Sequence, residues 1–162
     1  MLKIADKFVP YQELAAWREK LREQGRQLVV THGCFDLLHA GHVTYLESAR
    51  EQGDALLVGV NGDAAVRTLK GEGRPINNEQ DRATVIAALQ SVTYVCIFPD
   101  VSASEFLRRT QPDVWVKGGD YTLETLNQEE RRIVEGSGGK IALISFVPGK
   151  STTGLVEKIT RL

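Results

Sequence analysis

"QLVVTHGCFDLLHAGH", residues 27–42, contains the pattern from which the architecture of this chain can be predicted. An apolar run of strand length leads into a turn at Gly33, and a helical pattern, "VTYLESAREQG" (43–53), follows directly. A buried strand followed by a turn and a helix is the repeating unit of a parallel α/β sheet. The same stretch holds all three histidines of the chain and one of its two cysteines.

The unit recurs along the chain. Further runs of strand length are "ALLVGV" (55–60), "TYVCIF" (93–98), "VWVK" (114–117) and "IALISF" (141–146). Helical patterns cover 78–90, 102–110 and 122–139, with an extra helix at 11–24 and a closing helix from 152 to 162. The apolar runs do not alternate strictly, which is typical of strands buried on both faces. We therefore predict a single α/β domain over 1–162, a doubly wound parallel sheet of about five strands, in which 1–24 is an N-terminal helix extension and 25–162 is the core.

Composition narrows the possible partners. The 162 residues carry a net charge of −1, with 42% hydrophobic and 25% charged residues, as in an ordinary globular domain. No overall basic field is available for nucleic acid, and the apolar runs are too short to span a bilayer. The N-terminus lacks the apolar stretch of a signal peptide, and two distant cysteines do not make a disulfide framework. We expect a cytoplasmic protein with neither nucleic acid nor membrane as a partner.

Two familiar phosphate-binding loops can be tested against the crevice at the strand ends, where ligands bind in such sheets. The dinucleotide fingerprint needs three glycines, and the turn after the first strand offers Gly33 and Gly41. The segment "ISFVPGKS" (144–151) resembles the end of a P-loop, but Ile144 stands where the first glycine is required. Both motifs are rejected.

The sequence His39-Ala40-Gly41-His42 points to a different phosphate site. Residues three apart at the start of a helix lie on one face, so the two imidazoles should point together into the crevice. Gly41 lets a ligand approach the backbone, and the helix N-terminus adds unpaired N–H groups and a positive dipole end. Paired histidine donors at such a position could stabilise charge that develops on a phosphoryl group.

Two other interpretations use the same residues. His32, Cys34, His39 and His42 are four possible zinc ligands, although all come from one short segment. Cys34 beside His39 could act as a nucleophile, although no acyl-transfer pattern accompanies it. A non-catalytic zinc or nucleotide-binding module therefore stays open as an alternative of another class.

Three motifs in order resemble a known family. "GCFDLLHAGH" (33–42), "VKGGDY" (116–121) and "STTG" (151–154) resemble the signatures of the cytidylyltransferase-like nucleotidyltransferases, which have a Rossmann-like fold. With residues 60–77 and 81–89, the chain most resembles the adenylyltransferase half of the bifunctional heptose kinase/adenylyltransferases, which make ADP-heptose for lipopolysaccharide. No sugar-kinase segment precedes the match, so we expect a free-standing, monofunctional version.

The resemblance implies roles for the matched residues. His39 and His42 would contact the triphosphate and stabilise the transition state. Lys70 and Arg82 would contact phosphate or the acceptor. The residues implied to bind the nucleotide are Cys34, Phe35, Gly41, Lys117, Asp120, Ser151, Thr152 and Thr153. Mg²⁺ is expected to be carried mainly by ATP, with no metal site formed by the protein.

The resemblance also implies the reaction: ATP and D-glycero-β-D-manno-heptose 1-phosphate give ADP-heptose and pyrophosphate. Relatives that use CTP often have an Arg-Thr pair where this chain reads "FVPG" (146–149), and Lys150 could supply the charge instead. Position 32 is His where the heptose relatives are expected to have Asn. The alternative within the family is a cytidylyltransferase acting on glycerol 3-phosphate or another small phosphate. A homodimer is the default expectation.

Overall fold

The protein, described by a computed structural model over residues 2–162, contains a parallel sheet of five strands in the order β3-β2-β1-β4-β5. The strands are β1 (Leu28–Gly33), β2 (Ala55–Asn61), β3 (Tyr94–Phe98), β4 (Val114–Gly118) and β5 (Lys140–Ile144). The predicted α/β sheet with Rossmann-like topology is confirmed. The strand order reverses between β1 and β4, and a crevice opens there at the carboxyl ends of the strands.

Within residues 2–162, seven α-helices connect and flank the strands. They are α1 (Leu14–Glu23), α2 (Ala40–Arg50), α3 (Asp63–Lys70), α4 (Glu79–Ala87), α5 (Ser104–Thr110), α6 (Gln128–Gly136) and α7 (Thr152–Thr160). Short 3₁₀ turns at Ile4–Lys7 and Tyr11–Glu13 precede α1. Among residues 2–162, no helix is long and apolar enough to cross a membrane.

The alternation of side chains along the strands divides the core into two layers. Leu28 and Val30 of β1 pack on the face covered by α1, α5 and α6, whereas Val29 between them packs on the face covered by α2 and α4. Both layers are closed to solvent, and each fully buried aliphatic side chain contributes about 1.5–3 kcal/mol. The sheet is thus held from both sides, which leaves its carboxyl edge as the place for a site.

Three details differ from the sequence-based expectations. Helix α3 was not predicted, and β5 ends at Ile144 rather than at residue 146. The helix expected over 122–139 begins at Gln128, because a hydrogen-bonded turn at Thr122–Thr125 precedes it and the Asn127 side chain caps the helix.

The N-terminal segment is tied to the sheet by main-chain and side-chain bonds. The Val9 N–H donates to Val95 O at 2.9 Å. The Lys7 ammonium donates to the carbonyls of Ala87, Leu89 and Val92 at 2.7, 3.2 and 2.8 Å. Lys7 thereby satisfies carbonyls at and just beyond the C-terminus of α4, where the helix dipole favours a cation.

Candidate active site

A cavity of about 910 Å³ lies at the carboxyl edge of the sheet. Its volume is in the range of small-molecule and cofactor sites. The predicted site residues that line it are Cys34, Phe35, His42, Lys70, Lys117, Asp120, Thr152 and Thr153. Three others, His39, Gly41 and Ser151, lie in the helix N-termini beside the cavity, while Arg82 lies behind it.

His39 and His42 form a reciprocal cap at the N-terminus of α2. The Gly41 N–H donates to His39 Nδ1 at 3.1 Å, and the His39 N–H donates to His42 Nδ1 at 3.3 Å. The ring centroids are 4.0 Å apart, as the spacing of the motif predicts. Since each Nδ1 accepts a hydrogen bond, each neutral ring must carry its proton on Nε2. The fold therefore sets both rings as Nε2–H donors.

Both histidines are held neutral. Burial, and then the neighbouring His39, lower the pKa of His42 to about 4. Burial, and then Lys150, lower the pKa of His39 below its usual value. At pH 7 the pair thus offers hydrogen-bond donors without positive charge of its own.

Gly41 and Phe35 position this pair. A Cβ atom at Gly41 would lie 2.9 Å from the His39 ring and 3.1 Å from Lys150 Cβ. Glycine is therefore required for the segment before α7 to pack against the first turn of α2. On the other side, the buried Phe35 ring lies 5.7 Å from the His42 ring, and Phe35 has a φ of 48° at the sharp turn after β1.

A second helix N-terminus, that of α7, contributes to the same cavity. The Gly154 N–H donates to Ser151 Oγ at 2.9 Å, so Ser151 is the N-cap. Thr152 Oγ1 donates to Leu37 O at 3.1 Å, which ties α7 to the loop before α2. Two helix N-termini with positive dipole ends and N–H groups that lack helical partners thus border one cavity, an arrangement suited to an extended anion.

Basic side chains also line the cavity. Lys70 is exposed at the end of α3, and Arg74 lies in the loop that follows. Lys117 Nζ lies 4.8 Å from the centroid of the Tyr121 ring; burial lowers the pKa of Lys117, and Glu130 raises it. These cations add to the anion-binding character of the cavity.

Asp36 anchors the loop that carries Arg74. Asp36 is 8% exposed. Its carboxylate accepts hydrogen bonds from the N–H groups of Ile76 and Asn77 at 2.8–3.0 Å. The Arg74 guanidinium donates to the same carboxylate at 3.3 Å. Asp36 is therefore committed to protein partners and fixes the loop over the cavity.

Arg82 occupies a different place from the one expected for a phosphate contact. It is 2% exposed, and its guanidinium donates to Cys34 O at 2.6 Å, Asp63 Oδ1 at 2.9 Å and Asn77 O at 2.9 Å. It borders a separate cavity of about 130 Å³. Each of its three nitrogen atoms donates to a protein acceptor, so Arg82 joins three segments behind the site.

His32 and Cys34 do not join the histidine pair. The His32 ring stacks on Trp115 at a centroid distance of 6.0 Å, and burial lowers the pKa of His32 to about 3. Burial also raises the pKa of the Cys34 thiol, which disfavours the nucleophilic thiolate. Within residues 2–162, no group of three or more His, Cys, Asp or Glu side chains is arranged to hold a metal ion.

Several residues that line the cavity were missed by sequence reasoning. Among them are Tyr45, Asn61, Arg74, Glu130 and Phe146. Asn61 could have been found, since it ends a buried strand at the ligand-binding edge. Glu130 could not: it lies in α6 and accepts from the Ala103 N–H at 2.9 Å, a contact between distant segments.

The sequence matches a described family. Residues 30–155 match the family described as Cytidylyltransferase-like. The chain belongs to the cytidylyltransferase-like family. This match also identifies the domain as a nucleotidyltransferase, the enzyme class predicted from its motifs.

Individual relatives agree with the family assignment. "Bifunctional protein HldE" of Trichlorobacter lovleyi is 48% identical over 97% of this chain and 31% of the relative. "Bifunctional protein HldE" of Pelobacter propionicus is 49% identical over 90% of this chain and 30% of the relative. This cytidylyltransferase-like chain thus spans about three tenths of the length of these relatives.

A solved structure shares the fold. The lipopolysaccharide core biosynthesis protein from Thermoplasma volcanium GSS1 superposes with a TM-score of 0.62 at 25% identity. The match covers 76% of this cytidylyltransferase-like chain and 98% of that protein. The fold is thus found in another protein of nearly the size of the matched region.

Proposed function

We propose that this domain transfers an adenylyl group from ATP to a sugar 1-phosphate. The proposed acceptor is D-glycero-β-D-manno-heptose 1-phosphate, and the products are ADP-heptose and pyrophosphate. The identity of 48–49% to proteins named bifunctional protein HldE supports this choice. So does the resemblance of the three motifs to the heptose adenylyltransferases.

The observation that carries the proposal is the neutral histidine pair at the N-terminus of α2. In the proposed reaction, an acceptor phosphate oxygen attacks the α-phosphorus of ATP. The bond from that phosphorus to the α,β-bridging oxygen breaks, and pyrophosphate leaves. The acceptor is already ionised at pH 7, so no general base is needed; the Nε2–H groups of His39 and His42 stabilise charge on the phosphoryl oxygens.

The residues around the pair take roles in binding. The N-terminus of α7, with Ser151, Thr152 and Thr153, binds the β- and γ-phosphates. Lys70 binds phosphate from the opposite wall. Lys117 and Asp120 bind the nucleotide at the end of β4.

Mg²⁺ is proposed to enter with ATP. Among the carboxylates of the cavity, Asp36 and Glu130 already accept hydrogen bonds from the protein, whereas Asp120 is exposed. This donor set fits an ion whose ligands are mostly phosphate oxygens and water. When bound, Mg²⁺ neutralises charge on the triphosphate.

A pyrophosphate-release screen tests the proposal. ATP, CTP and GTP are each combined with heptose 1-phosphate, glycerol 3-phosphate and other sugar phosphates. The expected result is turnover with ATP and heptose 1-phosphate well above every other pair. Preferred turnover with CTP and glycerol 3-phosphate would replace the proposal with the cytidylyltransferase alternative, and absence of turnover in every pair would overturn both.

Two expectations from the sequence are kept as proposals. We propose a homodimer, which sedimentation velocity tests directly. The proposed cytoplasmic location is tested by fractionation of cells that produce the protein.

A further inference from the structure

Phe146 presents an aromatic ring at the edge of the candidate site. It follows β5, lines the large cavity and is 51% exposed. Among the described residues of the cavity, Tyr121 is the other exposed aromatic at 42%, and Lys117 already lies over its ring. The surface of the Phe146 ring is thus available to a ligand.

The ring rests on glycine backbone. A Cβ atom at Gly118 would lie 2.6 Å from Phe146 Cε1, and one at Gly119 would lie 3.2 Å from Cε2. The Tyr45 ring meets Phe146 edge to face, with centroids 5.7 Å apart. Any side chain at 118 would displace Phe146, so the two glycines and Tyr45 form a fixed seat for it.

We infer that Phe146 is the residue on which the adenine base of ATP stacks, and that it determines preference for a purine. The inference rests on the proposed function and extends it to base recognition. The cavity has a polar end at the N-termini of α2 and α7, and Phe146 supplies an aromatic surface at the ends of β4 and β5. A nucleotide has the matching division, with a charged triphosphate at one end and a flat aromatic base at the other.

The preference for a purine follows from the contact area between the base and the Phe146 ring. A two-ring base covers more of an exposed phenyl ring than a single-ring base does, and stacking and apolar burial both grow with the overlap. Because Phe146 is already held in place, its side chain loses little conformational entropy when the base binds. Most of the stacking energy therefore contributes to the affinity.

The test compares ATP with inorganic tripolyphosphate, which carries the phosphates without a base. Dissociation constants of both, with Mg²⁺, are measured by calorimetry for the full chain and its variants. Phe146→Ala is expected to weaken the binding of ATP about 5- to 100-fold, which is the effect of losing one stacked base. The dissociation constant of tripolyphosphate should be unchanged. Phe146→Trp should retain ATP binding. Val147→Ala, at a neighbouring residue that is 41% exposed, is the matched control and should bind both ligands normally.

The outcomes separate this inference from the proposed function. Equal ATP affinity in the wild type and Phe146→Ala overturns the inference, even where the wild type still makes ADP-heptose. An equal loss of affinity for ATP and for tripolyphosphate overturns the inference as well, since the effect of the substitution is then structural. A change confined to the KM of the acceptor assigns the ring to the sugar instead. A wild type that binds tripolyphosphate but not ATP overturns both the proposed function and the inference.

Discussion

At the scale of single residues, the chemistry of this site depends on which nitrogen of each imidazole ring carries the proton. The main chain of α2 holds Nδ1 of both His39 and His42, so the proton stays on Nε2. In the proposed mechanism, capping and catalysis are therefore joined in the same side chains. A substitution can separate them only if it keeps the acceptor at the cap and removes the donor at the phosphate.

His39→Asn should make that separation. Asn is among the best N-cap residues, so the free energy of unfolding should stay within about 0.5 kcal/mol of the wild type. Turnover should fall about 10²- to 10³-fold, because an Nε2–H donor to the phosphoryl group is lost. Urea unfolding and pyrophosphate release measure the two effects.

His39→Ala and His42→Ala complete the comparison. We expect each to lower kcat by a similar factor, and His39→Ala also to lose about 0.5–2 kcal/mol of stability with the cap. Near-normal turnover in all three variants would refute the histidine mechanism.

His32 predicts how stability depends on pH. Its pKa is about 3 in the folded protein and about 6.5 in the unfolded chain. As pH falls below 6.5, the unfolded state binds a proton that the folded state does not, so stability present above pH 6.5 is lost on acidification down to about pH 3.

The measurement for His32 is urea unfolding at pH 7, 6 and 5. His32→Asn should reduce the number of protons taken up on unfolding at pH 5 by about one. An unchanged pH dependence in the variant would show that His32 is protonated in the folded state.

The residues of the site differed in how well the sequence predicted them. The histidine pair was predictable because its geometry is local: residues 39 and 42 share one turn of one helix. Arg82 was not, because its acceptors come from Cys34, Asp63 and Asn77, which are brought together by the fold. The same holds for Phe146, whose seat is formed by Gly118 and Gly119 at the end of β4 and by Tyr45 of α2.

At the scale of elements, the strands were predictable and some helices were not. Each strand is an apolar run long enough to be read without its partners. Helix α3 has Gly62 as its N-cap residue, without a side-chain bond, and the Asp63 N–H donates instead to Glu79, sixteen residues later. A helix start stabilised from another segment leaves no local signal in the sequence, whereas Asn78 caps α4 locally, its side chain accepting from the Asp81 N–H at 2.9 Å.

The loop between α3 and α4 depends on Asp36, and this gives a prediction at the same scale. Asp36→Asn keeps the shape but replaces a carboxylate oxygen and removes the charge opposite Arg74, so the loop should be held less firmly. We expect a loss of about 1–3 kcal/mol in stability and faster amide exchange at Ile76 and Asn77.

Glu72→Gln is the matched control for the Asp36 variant. Glu72 is an exposed residue of the same loop, and its substitution should change neither quantity. Equal exchange at Ile76 in the wild type and Asp36→Asn would mean that the carboxylate does not hold the loop.

At the scale of the whole molecule, the strand order β3-β2-β1-β4-β5 was not predicted, whereas the parallel sheet and its two-sided core follow from the apolar runs. The contribution of the N-terminal segment to the core could not be read from the sequence. It was predicted as a helix extension, yet Leu14 and Leu21 of α1 belong to one of the two core layers. Helix periodicity predicted the helix, but the surface that it covers is set by the sheet.

Lys7 tests how much this segment stabilises the molecule. Lys7→Met keeps the aliphatic chain and removes the ammonium from three carbonyls, so stability should fall by about 1–3 kcal/mol. Thermal and urea unfolding measure the loss. Lys3→Met, at an exposed position of the same segment, should have no effect; an equal loss in both variants would point to a general effect of charge.

The attachment of α7 has a consequence for the timing of the catalytic cycle. None of the side chains of this helix is buried, yet its first turn borders the cavity at the proposed phosphate site, next to residues more than a hundred positions earlier in the chain. A segment with so few buried contacts opens at a low free-energy cost compared with the sheet. A bound triphosphate that spans both helix N-termini would hold the chain closed, and its departure as pyrophosphate would release it. The rate of product loss would then be governed by the last eleven residues of the sequence rather than by the histidines.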